Sequence, residues 1–100
     1  MENGYKILWT ENALYELKET IIYMEKNWNE KVIQKFANKL DNTLELISRN
    51  PELYPVSGRK KDVRRAVIMK VNCLYYRKKK HTIEILSFFS NRQNPESLNF

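Results

Sequence analysis

Along the first half of the chain apolar residues recur every three or four positions. Along the second half they gather in short dense runs, so the halves predict helix and sheet respectively. A leading run, Tyr5-Lys6-Ile7-Leu8-Trp9, is rich in aromatic and branched residues and predicts a first strand. Thr10 is a good N-cap, with Glu11 in the first turn to suit the helix dipole. Ala13, Leu14, Leu17, Ile21, Met24 and Trp28 then lie on one stripe of a helix from about Thr10 to Lys26. Asn29 caps a second helix with Val32, Phe36, Leu40, Leu44 and Ile47 on one face, which stops near Asn50 because Pro51 cannot continue it. So short a turn between the two predicts an antiparallel helical hairpin, with Trp28 and Phe36 joining it to a sheet.

Pro51, Pro55 and Gly58 make residues 51–62 a loop. Three strand-like runs follow: Val63 to Met69, Cys73 to Arg77, and Thr82 to Phe89, the last two separated by the polar turn Lys78 to His81. The short connections imply an antiparallel meander. The order is therefore β-α-α-β-β-β, an α+β fold in which a helical hairpin packs on one face of a small, mainly antiparallel twisted sheet. Residues 1–100 are read as one domain, with residues 1–4 and 96–100 flexible at its ends. Strict alternation in the last strand sends Ile83, Ile85 and Phe89 one way and Leu86 and Phe88 the other. In the second strand it sets Val67 and Met69 against Ala66 and Ile68. Apolar residues on both faces predict, on the face the helices leave bare, either an exposed patch for a protein partner or a cover from the long loop and the C-terminal tail.

Charge sharpens that expectation. Between Arg59 and His81 stand ten of the eighteen Lys and Arg residues and a single acid, Asp62, for a net +9. The rest of the chain is net negative, although the whole is +6. So concentrated a positive field predicts a negatively charged partner. Arg59, Lys60, Lys61, Arg64, Arg65, Lys70, Arg77 and Arg92 are the candidate binding residues. No apolar run is long enough to span a bilayer, the first residues lack the pattern of a signal peptide, and one cysteine, Cys73, cannot form an internal disulfide. A cytoplasmic location without membrane contact is the expectation.

Catalytic and cofactor chemistry finds little purchase. One His and one Cys cannot build a metal site, and there is neither a Gly-rich phosphate loop nor a Ser-His-Asp set, so no metal and no cofactor is expected. His81 reads as a solvated turn residue and Cys73 as a small buried hydrophobe. Tyr75 and Tyr76 point to opposite faces, one into the core and the other toward a partner.

Several pieces, taken in order, resemble the RelE/ParE superfamily of bacterial type II toxins. They are Tyr5-Lys6-Ile7-Leu8-Trp9-Thr10 with Ala13-Leu14, Asn50-Pro51-Glu52-Leu53, Val63-Arg64-Arg65, Leu74-Tyr75-Tyr76-Arg77, and Thr82-Ile83-Glu84-Ile85-Leu86 followed by Asn91-Arg92-Gln93-Asn94-Pro95. The last pieces are most similar to the ParE branch. The resemblance implies a toxin held inactive by a cognate acidic antitoxin, acting in growth inhibition and plasmid stabilization. For the ParE branch it implies inhibition of DNA gyrase by binding. Two alternatives stay open: a ribosome-dependent mRNA endoribonuclease of RelE type, whose partners would be the ribosome and mRNA, or an inactive member serving as an antitoxin-binding corepressor.

A ribonuclease would use cations around the phosphate and a group to take the 2′-hydroxyl proton. Lys70, Arg64 and Arg92 are the weak candidates for such cations. The resemblance also implies an Arg in the third strand, where this chain has Cys73, and a Tyr or His in the tail, where residues 90–100 have neither. The ribonuclease set is thus incomplete, which favours the gyrase-directed reading.

Overall fold

The computed structural model describes residues 4–58, 62–69 and 72–90. Arg59, Lys60, Lys61, Lys70, Arg92 and residues 96–100 therefore lie outside the described residues. The order is β1 (Lys6–Trp9), α1 (Glu11–Asn27), α2 (Glu30–Arg49), β2 (Val63–Met69), β3 (Asn72–Lys78) and β4 (Thr82–Ser90). Both predicted caps form: the Thr10 and Asn29 side chains accept from the backbone N–H groups of Ala13 and Val32. The sheet order is β1-β4-β3-β2. β2, β3 and β4 run antiparallel, and β1 lies parallel to β4 after the two-helix crossover. This is the α+β architecture that the apolar pattern predicts.

The main core lies between the hairpin and the sheet. Ala13 and Met24 of α1 and Phe36, Leu40 and Ile47 of α2 are buried against Ala66, Ile68, Leu74, Tyr76, Ile83, Ile85 and Phe88. Phe36 meets Phe88 edge to face, with centroids 5.8 Å apart. Trp28 is partly buried and packs on the same cluster. Leu14 departs from the expected stripe and is 50% exposed, because the line facing the sheet runs through Ala13, Thr20 and Met24.

Strict alternation fails twice. In β4, Tyr76 pairs with Ile85 but Tyr75 pairs with Ser87, which leaves Leu86 as an extra residue. That bulge resets the alternation, so Phe88 joins Ile83 and Ile85 in the main core and Phe89 turns to the other face. In β2 an irregularity between Val67 and Met69 brings Met69 onto the helix side, away from Val67.

The start of α1 satisfies the β4 bulge. Glu16 accepts hydrogen bonds from the Ser87 hydroxyl (2.7 Å) and from the Phe88 N–H (3.0 Å). Asn12 donates to the Leu86 carbonyl, and the Thr10 hydroxyl to that of Ile85. A backbone that leaves the ladder therefore finds its partners in three polar side chains of one helix end.

The exposed-patch reading fails on the second face. Its apolar residues do not form a bare patch: Val63, Cys73, Tyr75 and Phe89 are buried in a second, smaller cluster with Leu86 packed against it. Exposed apolar surface persists there at Leu8 and Val67, in the two strands at the sheet's margins.

Candidate functional site

Three of the predicted cations, Arg64, Arg65 and Arg77, fall among the described residues, and the sheet puts them to different uses. Arg64 and Arg65 are neighbours in β2, so their side chains leave on opposite faces. Arg64 sits opposite Tyr76 on the helix side and donates from Nη1 to the Tyr54 carbonyl at 2.7 Å. Beside it the Tyr76 hydroxyl, fully buried, donates to the Pro51 carbonyl at 2.7 Å. Burial pushes the Tyr76 hydroxyl up to about 12 against the opposing pull of the Arg64 charge, so it stays a donor.

These two bonds tie the loop over 51–57 to the sheet. Val56 bridges to Arg64, the Ser57 N–H reaches the Val63 carbonyl, and the Arg65 N–H reaches that of Pro55. The loop thereby covers the outer edge of β2, whose backbone groups would otherwise be open to another strand. Arg64 thus serves the fold.

Arg77 lies on the second face and is neutralised there. It pairs with Glu84 at 2.9 Å across β3 and β4, and Asp62 stands 3.8 Å away on the other side. Lys79 approaches the same Glu84 at 3.9 Å. Lys78 instead sits over the Tyr5 ring, 5.6 Å from its centroid.

Arg65 is different. It is partly buried on the second face, opposite Tyr75 in the ladder, with Cys73 two pairs further along opposite Val67. Its guanidinium interacts electrostatically with the Cys73 and Tyr75 side chains. Burial works to lower its pKa, but the Cys73 and Tyr75 groups outweigh it and hold Arg65 above its ordinary value. Burial, then Cys73, push the Tyr75 hydroxyl up in turn, with Arg65 opposing. The Tyr75 hydroxyl therefore keeps its proton near pH 7. Among the described residues no carboxylate lies against this cation.

The other candidates stand apart. His81 is exposed beside Lys79 and Lys80 at the β3–β4 turn, and Cys73 is buried and free. No group of three or more His, Cys, Asp or Glu residues could hold a metal ion among those described, and no described helix is long and apolar enough to cross a membrane. Two grooves among the described residues do not reach the arginines. One, of about 560 Å³, lies between β1 and α2 beside Asp41 and Glu45, and the other, of about 440 Å³, runs along α1 at Leu14, Leu17 and Ile21.

Sequence reasoning gathered these arginines into one binding set. Alternation already separates Arg64 from Arg65, but the carbonyl that Arg64 meets belongs to a loop with no periodicity. Glu16 and Ser87, which set the bulge, were missed, since a Glu in mid-helix reads as a solvated charge.

Comparison with known proteins agrees with the fold. The chain is similar to a solved structure of the YoeB dimer from Staphylococcus aureus, with a TM-score of 0.60 and 21% identity over 86% of this chain and 95% of that one. It is also similar to the E. coli DinJ-YafQ toxin-antitoxin complex, with a TM-score of 0.61 and 14% identity over 89% of this chain and 94% of that one. No curated protein sequence matches it. The profile of the family described as the ParE toxin of the type II toxin-antitoxin system, parDE, matches residues 7–95. With nearly its whole length aligned, the chain belongs to the ParE toxin family and is the toxin of a type II toxin-antitoxin system.

Proposed function

We propose that this toxin arrests growth by binding its target, DNA gyrase, without cleaving RNA, and that an acidic antitoxin holds it silent in the cytoplasm. One observation carries the reading. Among the described residues the strand arginines form no outward-facing group with a proton acceptor beside it, and His81 stands with Lys79 and Lys80 in the β3–β4 turn. Arg64 is turned to the loop, Arg77 is paired with Glu84, and the Tyr75 and Tyr76 hydroxyls are both shifted toward their protonated forms. Phosphodiester cleavage by a 2′-hydroxyl calls for both elements together. Membership of the ParE family supports gyrase as the target, and the E. coli structural neighbour, solved as a toxin-antitoxin complex, supports an antitoxin partner.

Controlled expression of the toxin without an antitoxin tests this. Filamented cells, induction of the DNA-damage response and continuing protein synthesis are the expected outcome. Translation that stops first, with mRNA cleaved on ribosomes, would establish the ribonuclease alternative. Normal growth at confirmed expression would reject both toxic mechanisms in favour of a corepressor role.

A further inference from the structure

Three arginines project from adjacent strands, and two have their charge or donors committed within the fold. Arg64 spends its donors on the Tyr54 carbonyl, and Arg77 is neutralised by Glu84 and Asp62. Among the described residues Arg65 has the Cys73 and Tyr75 side chains beside it and no carboxylate. A guanidinium carries five N–H donors, so these two neighbours leave it with donors to spare, and among the described residues no carboxylate meets its charge. A partly desolvated cation in that state gains most from a carboxylate, which takes two parallel hydrogen bonds and supplies the missing charge. Cys73 and Tyr75 hold the planar fork, so less freedom is lost when an anion arrives.

We infer that Arg65 is the anion-receiving group of the second face, positioned by Cys73 and Tyr75, and that it takes one carboxylate from an acidic, partly apolar segment of a protein partner. The surroundings favour a carboxylate over a run of phosphates. A nucleic-acid strand carries a charge about every 3.4 Å and is held by several cations in a row. Next along this face, Arg77 is already neutralised, and Glu84 and Asp62 would repel a second phosphate. On the other side Val67 is half exposed and suits an apolar side chain flanking the carboxylate. That the partner is the antitoxin rests on the function proposed above; carboxylate recognition by Arg65 does not.

The test follows the arginine Nε–H signals of the full chain by NMR during titration with the blocked peptide Ac-Leu-Val-Glu-Val-Leu-NH2. The Arg65 signal should move while those of Arg64 and Arg77 stay. Replacing the peptide's Glu by Gln should weaken binding about tenfold, as expected for loss of a charged hydrogen bond. Tyr75→Phe should weaken the Glu peptide about threefold with its thermal midpoint little changed, whereas a purely structural tyrosine would show the reverse. A still Arg65 signal, or equal binding of the Glu and Gln peptides, overturns the inference. So does an oligothymidylate probe that binds more tightly than the peptide and shifts all three arginines together, since that pattern marks a phosphate-binding face. Should the peptide bind as expected while no acidic protein encoded beside the toxin co-purifies with it, the carboxylate site stands and the antitoxin assignment falls.

Discussion

Arg64 and Arg65 are adjacent in sequence, chemically identical and half-buried, yet one is bonded into the fold and the other is the one proposed to receive a partner. The sheet's alternation puts Arg64 on the helix side, where the Tyr54 carbonyl and the Tyr76–Pro51 bond await it. Arg65 leaves on the other face, beside a small apolar cluster and with no acid against it among the described residues. The difference teaches that a basic cluster is not one functional unit. Strand pairing decides which charges the fold consumes and which it leaves for a partner.

The two faces can be broken separately, and the helix-side core should give the largest effect. Phe36→Ala removes a buried ring that packs edge to face with Phe88, and should cost about 3–5 kcal/mol in equilibrium unfolding. That approaches the whole stability of a small domain. A loss below about 1 kcal/mol would place the main core elsewhere.

Alkali should come next. Tyr76 has a folded pKa of about 12, above its ordinary value near 10, so its contribution is intact below about pH 10. As the pH climbs from about 10 toward 12 the unfolded chain ionises first, and stability should fall by about 2–3 kcal/mol. In Tyr76→Phe most of that slope should vanish, which a pH series of unfolding curves would read directly. An unchanged slope would assign the effect to another group.

A smaller effect is expected at the bulge. Glu16→Ala strips the acceptor from the Ser87 hydroxyl and the Phe88 N–H, and should cost about 1–3 kcal/mol. Hydrogen exchange at the Phe88 amide should rise more than at Leu74 in the central strand β3. Equal rises would mean that Glu16 supports the whole sheet and not the bulge alone.

Much of this fold was legible from periodicity and punctuation. Thr10, Asn29 and Pro51 bound the helices through local chemistry, and each does so in the structure. The β4 bulge was not legible, because Leu86-Ser87-Phe88-Phe89 offers a large apolar residue to either face under either register. Its arbiter is Glu16, which lies 71 positions from Ser87 and reaches it only once α1 has docked. Burial of the second face was hidden for the same reason. Val63, Cys73, Tyr75 and Phe89 come from three strands, and their meeting depends on a register that no single strand encodes. At the candidate site, alternation revealed which face each arginine takes but not its partner, since a loop carbonyl and a cross-strand thiol carry no sequence signal.

The most direct measurement compares Arg64→Gln with Arg65→Gln, scoring unfolding free energy and affinity for the Glu-containing peptide on the same preparations. Arg64→Gln should lose about 1–2 kcal/mol of stability, since a charged hydrogen bond to the Tyr54 carbonyl goes with it, and should keep the peptide. Arg65→Gln should stay within about 0.5 kcal/mol of the parent in stability and lose peptide affinity about tenfold. The account would be contradicted if Arg65→Gln unfolded more easily while still binding, or if both substitutions weakened the peptide equally.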